Sequence, residues 1–361
     1  MKRKLSALIA LTLSLLLVLS ACGGSTGSSA SPSPTPSASA AASTSPEAAM
    51  LTSAIMLPGT LSDNAIFQMF VNGVKDAAAQ LGYPEPKVVE GGDDWDSYAK
   101  NMVTLSESGK YNIIVTCTES MCDSVLECGN KYPNIKYILL NGTLTDKDVP
   151  ANVFAVRFKN EDLGYLGGYF CGLVTKSNME YANKDLKVGL LFADVYEPWE
   201  TQTKPAFIKG AQAVDPNIEV VNSVVGDWVD AMKGAETARA MYAQGVDIIW
   251  YTTGSSTYGA VTEAEAEGKY ATASDNDSTD LSKNIPGCTM ITGYDYAKNA
   301  FLKAADGTLE FGKALEAGAA EGVISFTFDD PDYKQRVPED IQKAMKDVYQ
   351  KLASGEINPI G

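Results

Sequence analysis

From residue 54 onward the chain alternates short apolar runs with longer amphipathic ones, and the pattern runs through twice, which restricts the body to parallel sheets covered by helices on both faces. The first pass reads as strand 54–57, helix 63–81 with Ser62 or Asp63 as its N-cap, strand 87–90, helix 96–108, strand 112–117, helix 120–131 and strand 136–140. Around residues 153–160 the pattern restarts. Helix 161–174, strand 187–192, helix 200–214, strand 218–225, helix 229–244, strand 247–251, helix 257–267 and strand 270–273 follow. Two sequential Rossmann-like α/β halves result, and ligands of such sheets bind beyond the carboxyl ends of the strands, where loops and helix N-termini meet.

The first fifty residues are of another kind. A positive cluster, Lys2-Arg3-Lys4, leads into an apolar run at 5–19, the length of a signal-peptide core and short for a membrane span. It ends in Leu19-Ser20-Ala21-Cys22, which resembles the lipobox of bacterial lipoproteins; residues 1–21 are then a signal peptide, and Cys22 becomes the lipid-bearing N-terminus. An ordinary cleavage site beside a chance cysteine is the alternative. Residues 23–49 are rich in Ser, Pro, Gly and Ala with Glu47 as their only charge, so the segment 22–50 reads as a tether, flexible where Gly and Ser dominate and extended where prolines alternate. No stretch after residue 49 approaches the roughly 18 consecutive apolar residues that a span requires.

The remaining 310 or so residues suffice for two domains. The chain carries a formal charge of −16, and losing the three positive charges of the leader makes it −19, which argues against nucleic acid and against adhesion to anionic lipid. There is no histidine, which excludes His-based general-base catalysis, Ser-His-Asp triads and the usual imidazole metal sites. No carboxylate pair is singled out by spacing, and the run Asp93-Asp94-Trp95-Asp96 reads as a polar loop with a helix cap. Neither a catalytic residue, a metal site nor a cofactor is expected. Five cysteines accompany Cys22, among them Cys171 and Cys288, an odd number that leaves at least one unpaired unless chains crosslink; Cys117, Cys122 and Cys128 lack zinc or CxxC spacing and read as small buried side chains, a Cys117–Cys122 disulfide being the other possibility.

Several segments, taken in order, resemble the basic membrane protein family of substrate-binding lipoproteins, which includes purine-nucleoside receptors of ABC importers. They are Gly59-Thr60-Leu61-Ser62-Asp63 with Gly73 ten residues on, Tyr132-Pro133-Asn134-Ile135-Lys136-Tyr137, Asn152-Val153 leading into 161–172, Ala243-Gln244-Gly245-Val246-Asp247-Ile248-Ile249, then Gly254 and Asp275. The tail, from Val337-Pro338-Glu339-Asp340-Ile341 to Ser354-Gly355-Glu356-Ile357, completes a match over 53–361.

The resemblance implies a type I periplasmic-binding-protein fold: two Rossmann-like lobes, a three-segment hinge and a ligand in the cleft. The first lobe would comprise 51–157 and 276–320, the second 158–275 and 321–361, with the last helix in the second. It also implies a ligand set of Asp63, Phe67, Asn141, Trp199, Gly254 and Asp275. Phe67 or Trp199 would stack on a flat face, Asp63 and Asp275 would accept from hydroxyl or N–H groups, Asn141 would do both, and the helix starts after Gly59 and Gly254 would supply backbone donors. Each has a plainer reading as a cap, core or turn residue. The chain departs from the nucleoside-binding pattern at Ile66 and Phe67, where Phe and Asn are expected, at Asn141 for Asp, at Thr203 for an aromatic, and at Gly293 for Lys. The implied protein is a monomeric, lipid-anchored receptor on the extracytoplasmic face, delivering a nucleoside or a similar small molecule to an ABC permease. A sensory lipoprotein signalling to a membrane partner, or a receptor for a sugar, is the alternative.

Overall fold

The computed structural model describes residues 50–62, 65–92, 94–144 and 149–361. The leader, Cys22 and the tether therefore lie outside the described residues, as does Asp63. In chain order the elements are β1 (Ser53–Leu57), α1 (Ala65–Gln80), β2 (Lys87–Glu90), α2 (Trp95–Glu107), β3 (Ile113–Cys117), α3 (Cys122–Lys131), β4 (Lys136–Leu140), β5 (Val153–Phe158) and α4 (Asn160–Thr175). Next come β6 (Lys187–Phe192), α5 (Lys204–Val214), β7 (Glu219–Val224), α6 (Ala231–Tyr242), β8 (Ile248–Thr252), α7 (Thr257–Glu267) and β9 (Tyr270–Ala273). The last third holds β10 (Thr289–Ile291), α8 (Gly293–Asp306), β11 (Lys313–Ala317), β12 (Ile324–Phe326), α9 (Pro331–Arg336) and α10 (Glu339–Ala353).

Two parallel sheets form. The first has the order β11-β5-β4-β3-β1-β2, the second β7-β6-β8-β9, and a two-stranded antiparallel ribbon joins β10 to β12. Strands inside the sheets are apolar along their whole length because both faces are covered. In β1 all five residues are buried; Ile55 and Leu57 face the core under α1, while Ala54 and Met56 face the one under α2 and α3. Asp94 caps α2 by accepting from the N–H of Asp96 at 3.1 Å, the helix-cap role expected of that acidic run.

The chain passes between the sheets three times. After β5 it enters α4, which packs on α5, on α10 and against β8; after β9 it returns through β10 and α8, which lies on α1, to β11 on the first sheet; after β11 it runs to β12 and α10. Charged side chains tie these passages. All five N–H donors of Arg157 are taken: Glu161 accepts two at 2.9 Å, Glu316 two at 2.8 and 3.0 Å, and Gln202 one at 2.8 Å. The carboxylate of Asp162 accepts from the N–H of Ala319 at 2.9 Å, fastening α4 to the third passage.

Glycine decides how closely α4 approaches α5. A Cβ on Gly164 would lie 2.4 Å from the Thr203 carbonyl oxygen and one on Gly168 1.9 Å from that of Phe207, so no side chain can be present at either. The same logic sets α1 on α8 through Gly73, where a Cβ would be 2.4 Å from the carbonyl oxygen of Tyr294.

Candidate functional site

The loops at the strands' carboxyl ends converge. In the second sheet the Ala193 N–H donates to the Thr252 carbonyl, and the Gly226 N–H to that of Ala193; the Ser256 hydroxyl donates to the carbonyls of Asp227 and Thr253. The loops after β6, β7 and β8 are thus one hydrogen-bonded unit. They face the first sheet: burial pushes the Tyr196 phenol's pKa up, and Glu119 and Cys122, in the segment after β3, add to the shift from across the crevice.

An aromatic group lies on the second-sheet wall. Trp199 stacks on Phe192 with centroids 5.1 Å apart and planes at 26°, meets Tyr196 edge-on at 5.3 Å, and touches Trp228 at 5.5 Å. Trp199 opens a π-helical turn, Trp199–Thr203, that runs into α5. A wide turn of this kind interrupts the regular ladder and is common at functional sites. Trp199 is partly exposed and Trp228 40% exposed, so ring surface is open to a ligand. Trp228 was not singled out in the sequence; its signal was only its place directly after an apolar strand.

Phe67 has a different situation. It is 6% exposed, belongs to the core under α1, and has a ring carbon 2.9 Å from where a Gly59 Cβ would be. Its ring supports the loop after β1 from beneath. The Leu61 N–H of that loop donates to the Glu90 carboxylate at 2.7 Å.

Asn141 ends β4 with φ at 55°, and Thr118 ends the neighbouring β3 with φ at 71°; both occupy the left-handed region that side chains disfavour. Strain of this kind persists where the surroundings fix it, and often at binding sites. The Thr118 N–H donates to the Leu140 carbonyl, which locks the two strand ends together. Gly254 starts a one-turn 3-10 helix ahead of α7 with φ at 55°.

Asp275 follows β9, and its carbonyl accepts from the N–H of Ile291, which anchors the second passage. It is partly exposed but walled by protein, and this desolvation pushes its carboxyl up to about 6, its own backbone and Ser274 supplying the only opposing hydrogen bonds. No Lys or Arg among the described residues forms an ion pair with it. Behind it the hydroxyl of Tyr251 is buried without a hydrogen-bond partner, Ser278 lying close by.

The structure thus brings Trp199, Gly254 and Asp275 to one wall and Asn141 to the facing sheet's strand ends, and it seats Phe67 in the core. The five described cysteines carry free thiols; Cys117 and Cys128 are buried on opposite faces of the first sheet, whereas Cys122 is not buried as expected but partly exposed at the start of α3, where its thiol donates to Glu119. Among the described residues no helix is long and apolar enough to cross a membrane. A concavity of about 590 Å³ along Tyr165, Ile208 and Gln212 is a shallow groove outside α4 and α5, away from these groups.

Residues 50–358 match the family of ABC transporter substrate-binding proteins described as PnrA-like. The chain belongs to that family. This substrate-binding protein is 24% identical over 319 residues to basic membrane protein A1 of Borrelia garinii subsp. bavariensis, covering 87% of this chain and 89% of the relative. It is 25% identical over 277 residues to a CD4+ T-cell-stimulating antigen of Listeria monocytogenes, covering 72% and 73%. A solute-binding protein of an ABC transporter system from Aeropyrum pernix K1 superimposes with a TM-score of 0.74 at 19% identity, over 85% of this chain and 92% of the other. A transcriptional activator of the comK gene from Bacillus halodurans does so at 0.68 and 20%, over 85% and 99%. The fold of this substrate-binding protein is the type I periplasmic-binding-protein architecture.

Proposed function

We propose that the chain is the lipid-anchored, extracytoplasmic receptor of an ABC importer and that it closes on a nucleoside-like ligand between the two sheets' loop ends. The observation that carries the ligand reading is the placement of Trp199 and Asp275. Trp199 leans on the end of β6 and Asp275 follows β9, with β8 between them, so the strand ends from which the ring and the carboxylate are presented are about 10 Å apart at the usual strand spacing of roughly 4.8 Å. That is the length of a flat base joined to a sugar. Trp199 would take the base face, Asp275 the sugar hydroxyls, and Asn141 a ring edge from the facing sheet. The lipid anchor rests on Leu19-Ser20-Ala21-Cys22 and the tether behind it.

A thermal-shift screen of nucleosides, free bases and sugars tests the reading, since anything that binds the native state alone raises its melting temperature. Nucleosides are expected to give the largest rises. Calorimetric titration of Asp275→Ala should then show affinity lowered by about tenfold or more, from the loss of charge-assisted hydrogen bonds of roughly 1.5–3 kcal/mol each. Rises with free sugars alone, or unchanged affinity in the variant, would overturn it.

A further inference from the structure

Among the described residues, six short segments that directly follow strands at the crevice are acidic as a set. Residues 58–62, 118–121, 193–198, 225–228, 253–256 and 274–278 contain Glu119, Asp194, Glu197, Asp227, Asp275 and Asp277 and no Lys or Arg. Lys147, in the loop after β4, lies outside the described residues and is flanked by Asp146 and Asp148. Three cations that border the crevice are already engaged: Arg157 has every donor occupied by Glu161, Glu316 and Gln202, Lys233 pairs with Asp227 at 3.1 Å, and Lys204 with Glu200 at 2.8 Å. Lys159, at the start of α4, lies on the side of Asp162.

Some of the acids are also engaged. Glu119 accepts from the Thr143 N–H at 2.9 Å, and Asp277 accepts from the Thr279 hydroxyl at 2.7 Å. Asp275 has no such partner beyond its own turn. Enclosing an unpaired carboxylate is costly, and the cost falls when a positive charge is brought against it. The aromatic wall at Trp199 and Trp228 has the same bias, because ring faces are electron-rich and attract cations.

We propose that the physiological ligand is an organic cation, a flat ring compound whose protonated amine lies against Asp275 while its ring lies on Trp199. The proposal rests on the ligand reading above and narrows it: an amine-bearing ligand is preferred over its neutral counterpart, and a phosphorylated one is rejected.

The test uses the detergent-solubilised full chain at pH 7.5 and matched pairs of probes. Adenosine and guanosine are each titrated beside their 5′-amino-5′-deoxy analogues, with tyramine as an amine that carries no sugar and adenosine 5′-monophosphate as the anion. The expected result is that at least one amino analogue binds tenfold or more tightly than its parent, and that the isosteric Asp275→Asn variant brings the pair within about threefold. Tyramine binding with no response to any nucleoside supports the cation and overturns the nucleoside. Parent nucleosides binding as tightly as their amino analogues, or a preference that survives in Asp275→Asn, overturns the cation and leaves the nucleoside reading standing. No response to any probe overturns both.

Discussion

Trp199 and Phe67 are both large rings near strand ends, yet only Trp199 presents a face to the crevice. Trp199→Ala should therefore weaken ligand binding by on the order of tenfold, and it should also lower stability by about 0.5–1.5 kcal/mol for each lost contact with Phe192, Tyr196 and Trp228, so affinity is compared under conditions where the variant is folded. Phe67→Ala should act on stability instead of affinity. It empties a buried site under Gly59, and stability should fall by about 3–5 kcal/mol, as for other Phe truncations in cores, measured as a shift in the urea midpoint. A large affinity loss in Phe67→Ala at full stability would return that ring to the site. Sequence alone left both rings open because an aromatic at the start of a helix suits a core and a ligand equally. Burial separates them.

At the scale of elements, the seam between α4 and α5 leaves no room for a methyl group. Gly168→Ala should destabilise by at least the 1–3 kcal/mol typical of overpacking, because the atom it would meet belongs to the Phe207 backbone and cannot rotate away. A second test concerns pH. Asp247, at the start of β8, is fully buried; it accepts from Thr175 and from the Asn183 N–H, its other oxygen has no partner, and desolvation pushes its carboxyl up to about 6. Between about pH 4 and 6 the folded chain then holds a proton that the unfolded chain has released, so this group's contribution to stability rises as pH falls through about 6. The gain from Asp247 is roughly 1 kcal/mol between pH 7.5 and 5.5, and Asp247→Asn should flatten that part of the profile whatever its absolute stability. An unchanged slope in the variant would show that the carboxyl is not the source. The strands at 136–140, 187–192 and 270–273 were legible to the residue because apolar runs bounded by polar turns have one solution in a doubly covered sheet, and the short edge strand at 87–90 was legible from its Val-Val pair between charged ends. The elements between β10 and α9 were not read, since their runs are short and their partners lie far away in sequence, β11 pairing with β5 and β12 with β10. The π-helical turn at Trp199 was read as ordinary helix because periodicity does not distinguish an inserted residue at a helix start.

For the whole molecule, two expectations follow from the proposed role. Cys22→Ala should move the protein from washed membranes to the soluble fraction, because the described body has no helix able to span a bilayer; retention would mean another anchor. A saturating ligand should reduce the radius of gyration in small-angle scattering, as the loops after β3 and β6 draw together around it; an identical value would argue against closure. The succession of two parallel sheets was legible from the repeat of the α/β pattern. The saturated Arg157 was not, because its acceptors are spread over residues 161 to 316. The glycine seam bears on how such a movement is passed on. The helix α4 leaves the first passage at Lys159 and is held backbone to backbone against the turn that carries Trp199 at Gly164 and against α5, into which that turn runs, at Gly168, with no compressible side chain between them. In the closure proposed above, α4 and the turn that carries Trp199 would therefore move together, as one rigid crank.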